Sequence, residues 1–172
     1  AAVRVYLSIP FADDAMARRV EPQAPSITKR LGALKALAEA GIPVGVSIAP
    51  VIPGLNDDHM FEILQQAREA GAQTAFYSLL RLPGNVEPVF LERMSKAYPD
   101  RIKRITNRLQ EVRGGMMSSS RFFERHRGEG TYGEMLEQLF LTARRKAGFP
   151  EVPEPPVTST FRRPHPQQIK LF

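Results

Sequence analysis

Cysteine is absent from this chain of 172 residues. Without cysteine the chain forms no disulfide, and it offers no thiolate ligand to a zinc ion or to an iron–sulfur cluster. The sequence also has no apolar run of the roughly 18–20 residues that span a bilayer, and no signal peptide is visible. These absences predict a cytoplasmic protein that makes no contact with a membrane.

Acidic residues become scarce toward the end of the chain. Residues 1–100 carry 10 basic and 11 acidic side chains, whereas residues 101–172 carry 14 basic and 7 acidic side chains. Such an excess of positive charge suits a polyanionic partner such as nucleic acid. It is equally typical of a solvated surface that happens to be rich in arginine.

A unit made of a helix and a strand occurs twice, at an offset of 30 residues. Each copy has the tripeptide Glu-Ala-Gly, an apolar stretch and a Pro-Gly pair, and the copies start at Glu39 and Glu69. Strands that alternate with helices form parallel sheets, and ligands bind in the loops that follow the strands. Those loops are predicted at residues 51–58 and 81–86.

The spacing of apolar residues predicts three strands with helices between and after them. The strands are expected at residues 3–9, 44–51 and 74–80. Helices are expected at residues 15–20, 26–40, 86–97, 100–112 and 132–147, with a further helix capped by Asn56 or Asp57. Three strands do not close a barrel, and a sheet of three strands with helices on one side leaves its edges open. We therefore expect a missing N-terminal part or another chain to complete the sheet, and the start at Ala1 to be a cut.

Several motifs, in order along nearly the whole chain, resemble radical S-adenosylmethionine enzymes. Residues 49–57, Ala-Pro-Val-Ile-Pro-Gly-Leu-Asn-Asp, are similar to the end of the fifth strand in that superfamily, and residues 21–44 are similar to the stretch before it. Residues 79–83, 113–115 and 120–122 narrow the resemblance to bacterial proteins related to spore photoproduct lyase.

The resemblance implies an α/β fold, namely a partial (β/α)6 barrel of the TIM type. This chain would carry strands four to six in residues 1–85, a helical C-terminal extension in residues 86–149, and a proline-rich tail in residues 150–172. The first three strands would be missing, together with the Cys-x-x-x-Cys-x-x-Cys loop that holds the [4Fe-4S] cluster in the family. The missing N-terminal half-barrel is therefore an expected partner.

The resemblance also implies a lyase-like enzyme in the full-length parent, with DNA repair as the related activity. In that family the [4Fe-4S] cluster cleaves S-adenosylmethionine reductively, and the 5′-deoxyadenosyl radical abstracts a hydrogen atom from the substrate, here with nucleic acid as one candidate. This chain alone lacks the cluster ligands and is expected to be inactive. The alternative is a non-catalytic interaction module that binds nucleic acid or the replication sliding clamp.

Contacts to S-adenosylmethionine are implied for residues that follow the strands. Ser8 would contact the ribose or the carboxylate, and Arg19 beside Glu21 would pair with the methionyl carboxylate. Backbone groups near the second and third strand ends would contact the adenine. The implied residues are Ser8, Arg19, Glu21, Ile52, Pro53, Gly54, Leu80, Arg81 and Leu82. Each has a structural alternative: a serine bonded to nearby backbone, a surface ion pair, an ordinary Pro-Gly turn, or an Arg81 that faces the substrate.

A cluster of basic and aromatic residues follows the Gly114-Gly115 pair. It consists of Arg121, Phe122, Arg125, His126 and Arg127. Such a mixture suits a phosphate backbone with stacked bases. It also suits a helix-rich surface that packs against the missing half-barrel.

The chain ends in Gln168, Ile169, Lys170, Leu171 and Phe172, after a stretch rich in proline. These five residues resemble the peptide that binds the bacterial sliding clamp, with Ile169 where leucine is usual. A flexible tether, a glutamine and two apolar anchors form a plausible peptide ligand. The alternative is a tail that packs back onto its own domain.

Overall fold

A three-stranded parallel sheet lies at the centre of this computed structural model, which describes residues 3–117 and 128–150. The strands are β1 (Val5–Ser8), β2 (Val44–Val51) and β3 (Thr74–Leu79), and they lie side by side in chain order. Both pairings are parallel, which confirms the parallel α/β sheet predicted from the sequence. The sheet is open, with β1 and β3 as its edge strands.

Six α-helices accompany the sheet in the described residues. They are α1 (Asp14–Val20), α2 (Ile27–Glu39), α3 (Met60–Glu69), α4 (Val86–Ala97), α5 (Ile102–Glu111) and α6 (Gly130–Lys146). Strand β2 and helix α4 have the bounds that the sequence predicted, and the other elements differ by a few residues at their ends. None of the described helices is both long enough and apolar enough to cross a membrane.

The helices cover one face of the sheet. On that face Val46 and Ile48 of β2 are fully buried against a core that includes Ile63 and Leu64 of α3. The ring of Tyr77 on β3 stacks at a tilt on Phe140 of α6, with 4.9 Å between the centroids. Burial of these side chains removes apolar surface from water and holds the helices to the sheet.

The opposite face of the sheet is more open and more polar. Because side chains alternate along a strand, this face carries Tyr6 and Ser8 of β1, Gly45 and Ser47 of β2, and Thr74 and Phe76 of β3. The rings of Tyr6 and Phe76 meet edge to face at 5.1 Å. Each of these aromatic residues remains more than two-fifths exposed, at 43% and 44%.

The start of α3 differs from the sequence prediction. A short 3₁₀ helix, Asp57–His59, precedes α3, and neither Asn56 nor Asp57 donates or accepts a capping hydrogen bond there. Instead, both side chains turn back toward the loop, where the backbone N–H groups of Ile52 and Gly54 are the donors. The prediction of a cap was wrong because the loop itself offers these side chains better-placed donors.

Candidate functional site

The carboxyl end of β1 is fixed by one arginine from α2. Arg30 donates from Nη1 to the carbonyl oxygen of Ser8 (3.0 Å) and from Nε to that of Pro25 (2.9 Å). Its Nη2 pairs with the carboxylate of Glu21 at 2.5 Å. The hydroxyl of Ser8 donates to the carbonyl oxygen of Ala49, which links β1 to the end of β2. Arg30 thus brings together Ser8 and Glu21, two residues that the resemblance implied for the cofactor.

The loop after β2 is organised around Asn56, whose side chain is fully buried. Its Oδ1 accepts from the backbone N–H of Ile52 (2.7 Å), and its Nδ2 donates to the carbonyl oxygens of Pro10 (2.7 Å) and Pro50 (3.0 Å). The peptide bond between Ala49 and Pro50 is cis. Because Pro10 follows β1 and Pro50 lies within β2, this amide joins the ends of two neighbouring strands, and its polar atoms are satisfied.

A second buried side chain ties the same loop to α6. Asp57 accepts from the backbone N–H of Gly54 (3.0 Å) and from the hydroxyl of Tyr132. Burial, and next the hydrogen bond to Asp57, raise the pKa of Tyr132 above its usual value, so the phenol stays protonated and acts as the donor. The guanidinium of Arg108 lies 4.3 Å from the centroid of the Tyr132 ring, a cation–π arrangement.

The end of β3 lies between two guanidinium groups. Arg113, only 2% exposed, donates from Nη2 to the carbonyl oxygen of Leu80 (3.0 Å). Burial, and next the nearby charge of Arg81, lower the pKa of Arg113. Arg81 itself is exposed. The carboxyl end of β3 therefore presents one exposed cation beside a buried one.

Most of the residues that the resemblance implied for the cofactor lie at the carboxyl edge of the sheet. The N–H of Leu80 donates to the carbonyl oxygen of Val51 (2.8 Å), so the ends of β2 and β3 are adjacent. The side chains of Ile52 and Leu82 are buried in the core, which leaves Ser8 and Arg81 as the exposed side chains of this group.

Arg19 lies in a different place. Its guanidinium is 5.6 Å from the centroid of the Tyr98 ring. Together with Asp13 and Arg101, it lines a cavity of about 490 Å³ between α1 and the connection from α4 to α5. The structure thus places Arg19 with the helical part of the chain, while Glu21 points to Arg30.

Two further predicted sites fall outside the described residues. They are the basic and aromatic cluster of Arg121, Phe122, Arg125, His126 and Arg127, and the clamp-like residues Gln168, Ile169, Leu171 and Phe172. Within residues 3–117 and 128–150, no group of three or more histidine or acidic side chains is placed to hold a metal ion.

Sequence reasoning assigned no role at the site to Arg30, Asn56, Arg113 or Tyr132. Arg30 and Arg113 lie within motifs that carried the resemblance, so the motifs signalled them without showing what they do. The pattern around Asn56 predicts a helix cap instead. Tyr132 is separated from Asp57 by 75 residues, and a local sequence pattern does not predict a contact between residues so far apart.

Comparison with known proteins finds relatives of far greater length. An uncharacterized protein of Mycobacterium bovis and uncharacterized proteins of two strains of Mycobacterium tuberculosis are each 32% identical to this chain over 104 residues. The match covers 59% of this chain and 31% of each relative, so the chain spans about a third of the length of these relatives. No family model matches the chain. No solved structure matches it either.

Proposed function

We propose that this chain is the second half of the barrel of a radical S-adenosylmethionine enzyme from the group related to spore photoproduct lyase. The observation that carries the proposal is the open face of the sheet. Three parallel strands in chain order have their helices on one side, and the other side bears small polar groups and two half-exposed rings. In a barrel of this kind the helices lie outside, and such a face lines the interior.

The two edges of the sheet leave room for the other half. Because β2 lies in the middle, β1 and β3 are both edge strands, and further parallel strands can pair with either one. The mycobacterial relatives are about three times as long as the part that matches. Their length is sufficient to hold the missing strands, which supports a parent protein larger than this chain.

In the proposed parent, the carboxyl edge of the sheet would hold part of an S-adenosylmethionine molecule. Ser8 is exposed, and because its hydroxyl already donates to Ala49, it would accept a hydrogen bond from a ribose hydroxyl rather than bind the carboxylate. The exposed Arg81 would pair with an anionic group of the cofactor or the substrate. The N–H groups of Ile52 and Gly54 are already bonded to Asn56 and Asp57. Residues 51–57, which include the loop after β2, are also buried, so the loop would hold the edge of the site in shape rather than present side chains or N–H groups to the adenine.

The [4Fe-4S] cluster does not fit this chain, because the chain has no cysteine. We assign no step through the cluster to the residues described here. In the proposed parent, the missing half would hold it, and the cluster and S-adenosylmethionine together would supply the radical chemistry. The part of this chain would be to orient S-adenosylmethionine and to keep water away from it.

The test begins with the DNA upstream of the codon for Ala1. We expect an open reading frame that continues upstream into a Cys-x-x-x-Cys-x-x-Cys sequence. The parent protein, reconstituted with iron and sulfide without oxygen, should bind S-adenosylmethionine, as measured by calorimetry. Ser8→Ala should weaken this binding roughly five- to tenfold through the loss of one hydrogen bond.

Ser95→Ala provides the matched control, because Ser95 lies on α4 and its hydroxyl donates to the carbonyl oxygen of Glu92. This variant should bind S-adenosylmethionine as the unchanged protein does. A reading frame that starts near Ala1 without upstream cysteines, or a parent that does not bind S-adenosylmethionine, would contradict the proposal.

A further inference from the structure

Helix α5 presents a row of basic side chains to solvent. Arg101 at its N-terminal boundary, Lys103 and Arg104 are exposed, and Arg108 is partly exposed one turn further on. Arg101, Arg104 and Arg108 are spaced three and four residues apart, which places them along one side of a helix. These residues, with Asn107, are called the α5 basic face below.

Helix α5, which carries the basic face, is anchored in the core of the protein. The opposite stripe of the helix carries Ile105 and Leu109, which are fully buried in the core. Arg108 is held by the ring of Tyr132 and by the carboxylate of Glu111, whose Oε2 lies 2.7 Å from Nη1. A cation that is already ordered loses less conformational entropy when it binds a ligand.

A groove of about 560 Å³ runs along this face. Its lining includes the cations Lys103, Arg104 and Arg108, the amide of Asn107, and the carboxylates of Asp100 and Glu111 at its two ends. Glu111 is engaged by Arg108. The middle of the groove therefore offers positive charge and an amide to a ligand.

The α5 basic face adjoins the loop at the carboxyl edge of the sheet. Gly54 packs directly on Arg104: a Cβ atom at Gly54 would lie 3.1 Å from Cγ of Arg104 and 3.4 Å from its carbonyl oxygen. A ligand that lies along the groove would therefore pass beside the loop after β2. The α5 basic face is therefore a neighbour of the candidate site and not a part of it.

We propose that the α5 basic face binds the phosphate backbone of a nucleic acid. The cations that line the groove extend from Lys103 to Arg108, which is about 7–8 Å along a helix, and a DNA strand carries one phosphate per roughly 3.4 Å of its axis. The row of cations therefore matches a short run of phosphates. The contacts are to the backbone, so binding is independent of base sequence.

A phosphate backbone fits this face better than an anionic membrane does. A helix that binds at a membrane surface inserts apolar side chains beside its basic ones. The apolar residues Ile105 and Leu109 of α5 are buried inside the protein, and the exposed residues of the face are charged or polar. The α5 basic face thus lacks the exposed apolar side chains that would enter a lipid layer.

The test measures binding of the full 172-residue chain to a fluorescent duplex DNA of mixed sequence by anisotropy, over a series of salt concentrations. We expect salt-dependent binding. The Lys103→Ala, Arg104→Ala double variant should bind roughly tenfold more weakly, and the slope of log K against log salt should fall by about two. Lys103→Glu, whose side chain is exposed, gives a second variant in the same direction that leaves the Arg104 contact with Gly54 intact.

The matched control is Lys29→Ala, Lys35→Ala, which removes the same charge from the exposed side of α2. We expect its salt slope to be unchanged. An equal loss in both double variants, or no loss in either, would overturn the proposal and place any binding elsewhere in the chain. Binding to vesicles that contain phosphatidylserine but not to DNA would overturn it in favour of a membrane. The result does not depend on S-adenosylmethionine, so its failure and that of the proposed barrel are separate.

Discussion

At the scale of single residues, a few long-range side chains hold the ends of the strands in place. Asn56 serves three backbone groups with one amide, and Arg30 serves two carbonyl oxygens and one carboxylate. Each side chain connects segments that are far apart in the sequence. In the loop after β2, Ile52 and Leu55 anchor the chain in the core, and these hydrogen bonds fix the course of its backbone.

Replacing Asn56 with alanine should destabilise the fold by about 2–3 kcal/mol, because a buried N–H, a buried carbonyl group and a partly buried carbonyl group lose their partner. The free energy of unfolding in urea measures this loss. Asn107→Ala is the matched control: Asn107 is exposed on α5, and its loss should change stability by less than about 0.5 kcal/mol. Equal effects of the two substitutions would show that the Asn56 hydrogen bonds do not support the fold.

Asn56 also belongs to a loop whose hydrogen bonds could not be predicted from the sequence. Asn56 and Asp57 follow a Pro-Gly pair and precede a helix, a pattern that is typical of N-caps, yet their side chains bond backward into the loop. The choice depends on the positions of Pro10 and Tyr132, which belong to other parts of the chain. The local sequence pattern predicted the loop after β2, whereas the hydrogen bonds that hold this loop are visible only in the tertiary structure.

At the scale of secondary structure, the repeated unit was predicted well. The Glu-Ala-Gly tripeptides end α2 and α3, and Gly41 and Gly71 both have positive φ angles, 76° and 100°, as glycines after a helix commonly do. The apolar run of β2 gave its bounds correctly. Both signals depend on neighbouring residues, so they can be recognised in the sequence. The packing of α5 and α6 on the loops depends on contacts between distant residues, which the sequence pattern does not show.

Gly45 of strand β2 lies on the open face of the sheet, directly under side chains of the two neighbouring strands. A Cβ atom at Gly45 would lie 2.4 Å from Cε1 of Tyr6 and 2.6 Å from Oγ1 of Thr74. The ring of Tyr6 thus lies across Gly45, and its hydroxyl accepts a hydrogen bond from Thr74 (3.1 Å). The absence of a side chain at Gly45 allows β1 and β3 to touch over β2.

Gly45→Ala should therefore lower the free energy of unfolding by about 1–2 kcal/mol, because the methyl group displaces the Tyr6 ring. A double-mutant cycle in urea unfolding tests the cause. In the Tyr6→Ala background the same substitution should cost less, since the ring is gone and Oγ1 of Thr74 is the remaining obstruction. An unchanged cost in that background would mean that Tyr6 is not the obstruction.

At the scale of the whole molecule, we propose that the C-terminal tail connects the protein to the replication sliding clamp. The tail lies outside the described residues, so the proposal depends on its sequence alone. We expect the full chain to bind immobilised clamp in a saturable way. Leu171→Ala with Phe172→Ala should weaken binding at least roughly tenfold, because the pair removes both apolar anchors.

Thr158→Ala with Thr160→Ala is the control for that experiment, because it alters the same tail upstream of the pentapeptide. This variant should retain full binding. Clamp binding that persists without Leu171 and Phe172 would remove the tail from consideration. The outcome bears on neither the barrel nor the α5 basic face.

The order of the strands also has a consequence for handling the protein. With β1 and β3 at the two edges of the three-stranded sheet that the structure describes, both edges offer backbone pairing sites to any extended chain in solution. In concentrated preparations we therefore expect strand addition between copies of the chain, and dilute, cool expression should reduce it.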